Sequence, residues 1–195
     1  MKYVLIALAL AGSAPSAIAA VSYSVSGSTS SGHFGMQTHE SRAGSVGVDY
    51  ALTRQFEVGV NHRQELANQH GFKEIEDASG KRTVPFTTDA RMITNAATLT
   101  YALFAEAPAV PYVFGGIAHN MVYAKEVEGS QTSSFAEPSL GPQVGLGLRV
   151  RMSKELMLRV SYTVSPGTVV PDAAHPADTV SKVNSYAMLG IAFHP

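Results

Sequence analysis

The sequence predicts an all-β fold, an eight-stranded antiparallel up-and-down transmembrane β-barrel that follows a cleaved signal peptide. Three observations predict it. Segments of about ten residues alternate between apolar side chains and small or polar ones, as strands with two unlike faces do. Convincing helical periodicity is absent from these segments. Short and long connections alternate along the chain, which puts every long connection at one end of a meander.

The first 20 residues have the features of a secretory signal peptide. Lys2 supplies a positive charge, residues 3–10 are apolar, and small residues lead to an Ala-x-Ala cleavage motif. A membrane-spanning helix would need about 20 continuous apolar residues, and Pro15 and its neighbours interrupt this run. We therefore predict a signal peptide over residues 1–20 and one barrel domain over residues 21–195.

The composition excludes several classes of protein. Lysine and arginine number 14 against 15 aspartates and glutamates, so no basic field favours nucleic acid as a partner. Cysteine is absent, which excludes disulfides, thiolate metal sites and thiol catalysis.

The first four strands are predicted over residues 21–30, 43–52, 56–64 and 91–104. In the first, serine alternates with valine and tyrosine. In the second and third, large apolar residues occupy the even positions on both sides of a short Thr-Arg-Gln connection. In the fourth, threonine and alanine occupy the even positions. Each pattern has the period of two that a strand requires.

The last four strands are predicted over residues 111–123, 141–152, 156–165 and 182–193. The sixth and seventh carry valine, leucine and tyrosine on even positions around a short Ser-Lys-Glu connection. The last carries leucine, isoleucine and phenylalanine in one phase. The long connections are predicted as loops over residues 31–42, 65–90, 124–140 and 166–181.

Two hairpins repeat at an offset of 100 residues. Residues 47–60 match residues 147–160 in the position of the turn and in the phase of the apolar side chains. The match is either an internal duplication or the general likeness of two similar hairpins. In both interpretations the same hairpin is used twice.

The nature of the two faces decides which one lies inside. A soluble ligand-binding barrel would enclose the large apolar set, but the opposite set consists of glycine, alanine, serine and threonine with few charges for a surface in water. Small side chains suit the narrow lumen of an eight-stranded barrel, and the apolar set suits lipid. The residues predicted to face lipid are Val46, Val48, Tyr50, Phe56, Val58, Leu146, Leu148, Leu158, Tyr162, Leu189, Ile191 and Phe193.

Five charged residues share the phase of the small side chains. Arg149 and Arg159 are expected to face each other across their hairpin, which is unfavourable unless acids reach them from the far wall. We therefore predict a lumenal ion-pair network of Asp49 and Glu57 with Arg149, Arg151 and Arg159. Such a network could gate an ion path or fill the lumen as a structural plug, and we favour the plug because buried charges must be paired.

The chain resembles the small outer-membrane β-barrel proteins of the OmpA type. The stretch PYVFGG at residues 111–116 and the GLGLR segment at residues 145–149 carry this resemblance, together with the eight alternating segments. It implies a monomer in the outer membrane of a Gram-negative cell, with both termini periplasmic and the long loops extracellular. It also implies contact with outer-membrane lipid and lipopolysaccharide. The barrel-assembly machinery would bind the last strand, although two residues follow the final aromatic, Phe193.

The resemblance also raises enzymes of the outer leaflet, which modify lipid A. The His-x-Ser-Asn motif of the deacylases is absent from residues 160–165. His62 and His119 lie in the outer halves of strands without diagnostic spacing. We predict no catalytic residues and no cofactor, and we keep a surface adhesin and a lipid A enzyme as alternatives to a structural or surface role.

The remaining histidines are predicted to lie in loops. No i,i+4 or hairpin spacing preorganises them as metal ligands, and we predict no metal site. These residues are His33 and His39, with Glu40 beside the latter, His70 and His175. The charged loop over residues 65–90 could contact a partner or simply cover the barrel.

Overall fold

In a computed structural model, the protein is a closed ring of eight antiparallel strands. The structure describes residues 21–34, 37–77, 80–166 and 183–193. The strands are β1 (Val21–Phe34), β2 (Gln37–Ala51), β3 (Phe56–Asp77), β4 (Gly80–Ala102), β5 (Ala109–Glu128), β6 (Gln131–Arg151), β7 (Leu156–Pro166) and β8 (Val183–Phe193). The predicted all-β class, strand number and order are confirmed. The predicted signal peptide and His175 lie outside the described residues.

Each strand pairs with its neighbours in sequence, and β1 closes the ring by pairing with β8. The closing ladder joins Tyr23 with Phe193 and ends with Gly27 opposite Leu189. Every strand therefore has a partner on both sides over part of its length. Closure matters in lipid, where an unpaired backbone amide costs several kcal/mol.

Three connections predicted as long loops are instead continuations of the strands. β3 and β4 remain paired up to Asp77 opposite Gly80, and β5 and β6 up to Glu128 opposite Gln131. β1 and β2 likewise pair up to Phe34 opposite Gln37. Glycines with positive φ lie next to two of these tips, where Gly80 has φ 109° and Gly129 has φ 56°. The loop predictions fail because alternation is lost where both faces of a hairpin meet water.

The two repeated hairpins turn in the same way. The hydroxyl of Thr53 accepts hydrogen bonds from the amides of Gln55 and Phe56 at 3.1 and 3.0 Å. The hydroxyl of Ser153 accepts from Glu155 and Leu156 at 3.2 and 3.1 Å. A Ser or Thr side chain thus replaces a backbone acceptor in both short turns, and it holds the register that places even residues opposite even residues.

The inner and outer faces of the ring differ as the sequence indicates. Small polar side chains are buried inside, for example Ser22, Thr94, Thr100 and Thr163. Large apolar side chains are exposed outside, and Val25 remains 64% exposed. Among the described residues, no helix is long and apolar enough to cross a membrane.

Candidate functional site

Two buried ion pairs cross the interior of the barrel. The guanidinium of Arg149 donates two hydrogen bonds to the carboxylate of Glu57, with Nη1–Oε1 and Nη2–Oε2 distances of 2.5 and 2.6 Å. Arg159 donates through Nη1 to Oδ2 of Asp49 at 2.5 Å. The four side chains are between 7% and 17% exposed, so solvent screens their charges only weakly.

The strand register explains why these four charges meet. Arg149 on β6 and Arg159 on β7 lie directly opposite each other, which places two like charges side by side. Asp49 on β2 and Glu57 on β3 reach them from the other side of the ring. Two cations and two carboxylates therefore balance one another, as charges removed from water must. We call Asp49, Glu57, Arg149 and Arg159 the lumenal cluster.

Arg151 does not belong to the lumenal cluster, and the prediction that included it is corrected here. It shares the phase of Arg149, but it is the last residue of β6 and its side chain is exposed. Its amide donates to the carbonyl of Pro108 in the neighbouring turn at 2.9 Å. At the rim, water solvates the guanidinium, so it does not need a partner inside the lumen.

The ring of Tyr112 packs against both arginines of the lumenal cluster. Its centroid lies 4.7 Å from the guanidinium carbon of Arg149 and 5.4 Å from that of Arg159, within the range of cation–π attraction. Tyr112 is 1% exposed. A Cβ on Gly147, its partner on β6, would collide with the tyrosine ring. Glycine at position 147 thus leaves the space that the tyrosine occupies.

Glycine makes room for larger groups at two other lumenal positions. A Cβ on Gly145 would collide with the ring of Phe114, its register partner on β5. A Cβ on Gly59 would collide with the carboxylate of Asp49, its partner on β2. Large and small residues therefore face each other across neighbouring strands, which fills a narrow interior without strain.

A third ion pair lies in the lumen and was not predicted from the sequence. Arg63 on β3 donates to Oε2 of Glu65 at 2.6 Å, and its guanidinium carbon lies 3.8 Å from the ring centroid of Tyr186 on β8. Arg63 is 3% exposed. For Arg63 the signal was present, because residues 57, 59, 61 and 63 share one phase of the third predicted strand. Glu65 was missed because it was predicted to begin the loop that follows.

A small cavity of about 80 Å³ remains among these side chains. Its lining includes Asn61, Arg63, Gln143 and Arg159. Nε and Nη1 of Arg63 and Oε1 of Gln143 are buried without a hydrogen-bond partner among the described protein atoms. Polar groups of this kind around a space of this size favour a few ordered water molecules.

The residues predicted to face lipid all lie on the outer side of the ring, in the phase opposite to the lumenal cluster. Val46, Leu146 and Leu189 are more than half exposed. The ring of Phe56 packs against Tyr101 of β4 with centroids 4.9 Å apart, close to the short-turn end of the barrel. An apolar outer surface around a polar interior reverses the arrangement of a soluble barrel.

Comparison with known proteins decides the family. Residues 4–193 match the family model for the outer membrane protein beta-barrel domain. The chain belongs to this family. Its strands are transmembrane strands of an outer-membrane barrel. No curated protein matches the sequence.

Solved structures of other outer-membrane barrels share this fold at low sequence identity. The attachment invasion locus protein Ail of Yersinia pestis matches with a TM-score of 0.57 at 15% identity, over 92% of this chain and 100% of Ail. Neisserial surface protein A matches with 0.52 at 17% identity, over 91% and 97% of the two chains. The N-terminal barrel domain of OprF from Pseudomonas aeruginosa matches with 0.51 at 16% identity, over 90% and 97%.

The histidines within the described strands of this outer-membrane barrel lie apart from one another on its exposed surface. His62 and Asn95 form an outward-facing contact, with 2.8 Å between Nδ1 and Oδ1, and His119 lies beside Asn95 on β5. His33 contacts Thr38 at 2.9 Å across the β1–β2 hairpin. Within the described ranges, no group of three His, Asp or Glu side chains could hold a metal ion.

Beyond the lumen, the strands β3 to β6 continue to hairpin tips at residues 77–80 and 128–131. We call this outer part of the four strands the projecting sheet. Lys73 on its inner side bridges two acids of β5, with Nζ 3.1 Å from Oε1 of Glu126 and 2.7 Å from Oε2 of Glu128. The strand β4 lies between β3 and β5, and its Phe86 ring lies 5.9 Å from Nζ. The bridge therefore holds two non-adjacent strands together.

The charge environment of Lys73 predicts a stability change at high pH. Partial burial opposes the charge, but the hydrogen bonds and charges of Glu128 and Glu126 outweigh it and raise the pKa of Lys73 above its usual 10.5. A raised pKa means that the bridge contributes fully below about pH 10.5 and is lost as the pH rises through the folded-state value.

We expect Lys73→Met to increase hydrogen exchange in the projecting sheet about twofold at pH 7, consistent with a partly exposed ion pair worth about 0.5 kcal/mol. Wild type is expected to approach the variant above the raised pKa, which hydrogen exchange across a pH series would measure. Lys154→Met removes the same charge from a short turn and serves as the control. Equal protection of wild type and Lys73→Met at pH 7 would contradict the role of the bridge.

Proposed function

We propose that this protein is a non-enzymatic structural component of the outer membrane, whose lumen is plugged by its own side chains and whose projecting sheet is displayed on the cell surface. The observation that carries the proposal is the lumenal cluster. Arg149, Arg159, Asp49 and Glu57 join opposite walls through ion pairs of 2.5 to 2.6 Å. A channel would need a continuous column of water where these side chains meet.

The side chains around the cluster support a plug over an ion path. Tyr112 packs against both arginines, and its own side chain is fully buried. Further along the lumen, Thr94 donates to Oδ1 of buried Asn120 at 2.7 Å. Eight strands enclose an interior only wide enough for side chains to fill it. Paired charges in this interior hold opposite walls together and add fixed geometry to the apolar contacts.

The outer face supports the proposed relation to lipid. The apolar residues predicted from the sequence to face lipid include aromatic side chains. Tyr50 and Phe56 lie near the short-turn end of the band, and Tyr162 lies further along it. Aromatic side chains with a polar end suit the boundary between hydrocarbon and water.

The unequal ends of the barrel support its orientation. The connections at residues 52–55, 103–108 and 152–155 are short, and both ends of the described chain, Val21 and Phe193, lie at this end of the strands. The long hairpins lie at the opposite end. Short periplasmic turns and longer outer connections are the general rule, so we place the termini in the periplasm and the projecting sheet outside the cell. The C-terminal strand would be the segment that the barrel-assembly machinery binds, and the barrel would act as a monomer.

Fractionation and electrophysiology together test this proposal. We expect the protein in outer-membrane fractions, with a gel mobility that changes on heating. We expect external protease to cleave only at the end of the barrel that carries the long connections. Purified wild-type protein in planar bilayers is expected to give no stable single-channel current. A large, reproducible wild-type current would overturn the plugged lumen, and a soluble periplasmic pool would overturn the membrane location.

A further inference from the structure

A groove of about 690 Å³ lies on the outer side of the barrel, where the projecting sheet begins. Its lining includes Leu66, Asn68, Asp89, Arg91, Tyr123 and Lys125. It is separate from the lumen, because these side chains lie in the outward phase of β3, β4 and β5. Arg91, Tyr123 and Lys125 are all exposed.

The groove lies at the far edge of the apolar band. Phe56 and Leu66 are ten residues apart on β3, and a strand that rises about 3.3 Å per residue with a tilt of about 40° climbs about 25 Å over that length. This height matches the apolar band of an outer-membrane barrel. Arg42 and Arg91 are the register partners of Leu66 on β2 and β4, so two arginines flank the edge of the band.

In the groove, the positively charged side chains include one nearest the membrane edge, and the acidic side chain lies further out along β4. Arg91 donates through Nη2 to Gln64 at 3.2 Å, and Lys125 adds a second cation to the groove. The acid, Asp89, lies two residues beyond Arg91 on β4 and is the register partner of Lys125. In the orientation that satisfies its contacts, the amide of Asn68 donates to Asp89 at 3.0 Å. Cations therefore outnumber acids where the groove meets the membrane edge.

Polar side chains continue below the groove into the band. His62, Asn95 and His119 lie in one register row across β3, β4 and β5, and the side chains of all three are exposed outward. Polar groups that face hydrocarbon are unfavourable. This sector of the outer face below the groove is therefore less apolar than the rest of the band.

We infer that this groove binds the phosphorylated disaccharide headgroup of lipopolysaccharide. Arg91 and Lys125 supply the positive charge that a phosphate requires, and Tyr123 supplies an amphipathic surface for a sugar ring. A glycolipid headgroup suits the groove better than the single phosphate of a glycerophospholipid because it extends over several strands. The inference rests on the proposed orientation, in which the projecting sheet lies outside the cell and the groove at its base faces the outer leaflet.

Binding of defined lipids to the purified, folded barrel tests this inference. The probes are bisphosphorylated lipid A, the same lipid A without phosphates, and phosphatidylglycerol, each measured in detergent micelles of fixed composition. We expect bisphosphorylated lipid A to bind at least tenfold more tightly than the other two. Arg91→Ala/Lys125→Ala is expected to lose at least tenfold in affinity for it, while Lys81→Ala/Lys154→Ala, which removes two exposed cations elsewhere, should retain wild-type affinity.

Each outcome decides a separate question. Equal binding of the three lipids, or equal affinity of wild type and the Arg91/Lys125 variant, would overturn the groove as a headgroup site. Tighter binding of phosphatidylglycerol would assign the groove to a phospholipid instead and overturn the inference as stated. Heat-dependent gel mobility of every variant verifies folding. Absence of the wild-type protein from outer-membrane fractions would overturn the proposed function itself.

Discussion

Replacing Arg159 with leucine is expected to lower the free energy of unfolding by about 3–5 kcal/mol without opening a conducting path. The substitution leaves Asp49 without its ion-pair partner in the lumen. Asp49 is 7% exposed, so water cannot replace the guanidinium at low cost. The leucine side chain still occupies part of the lumen, and the Arg149–Glu57 pair still crosses it, which is why no current is expected.

The matched control removes both members of the pair. Asp49→Leu/Arg159→Leu leaves the lumen electrically balanced, and we expect it to recover most of the lost stability, because apolar replacement of a whole buried pair is often neutral. Urea unfolding in lipid vesicles, followed by heat-dependent gel mobility, measures both variants. Equal destabilisation of the single and double variants would show that the pair contributes through packing alone, and a current from Arg159→Leu would show that the guanidinium closes a path.

Part of this interior could be predicted from the sequence because the length of a short hairpin turn fixes which residues of its two strands lie opposite each other. The three-residue connection at residues 153–155 places Arg149 opposite Arg159, and two like charges imply acids across the lumen. Asp49 and Glu57 were the acids available in the right phase. The contrast between lipid outside and small side chains inside also made the eight-stranded ring evident, since one phase is apolar and the other is not.

Other features depend on relations that sequence alone does not carry. The contact of Tyr112 with Gly147 requires the register between β5 and β6, which is set by the two-residue tip at residues 129–130. That tip lies inside a predicted loop, so no register could be predicted for this pair of strands. The projecting sheet was predicted as loops because alternation marks a strand only where its two faces meet different surroundings. Lys73 and Glu126 therefore appeared as loop charges, although they join β3 with β5 across the intervening strand.

Replacing Gly116 with alanine is expected to destabilise the barrel by about 3 kcal/mol and to reduce the folded fraction in the outer membrane. Gly116 lies in the lumenal phase of β5, opposite Thr98 of β4. A Cβ at this position would overlap the carbonyl group of Ala97 and would lie 2.9 Å from Cα of Thr98. These are backbone atoms, so no side-chain rotation can relieve the overlap, and the two strands would have to separate.

The adjacent glycine provides a control with the same chemistry. A Cβ on Gly115 would have its nearest contact at 4.0 Å, the carbonyl oxygen of Gln143. Gly115→Ala should therefore match or slightly exceed wild-type stability, because alanine loses less backbone entropy than glycine on folding. Urea unfolding and the heat-modifiable fraction of each variant separate the two positions. Similar stability of the Gly116 and Gly115 variants would contradict the close approach of β4 and β5, whereas a loss confined to Gly116→Ala ties barrel closure to the missing side chain at that residue.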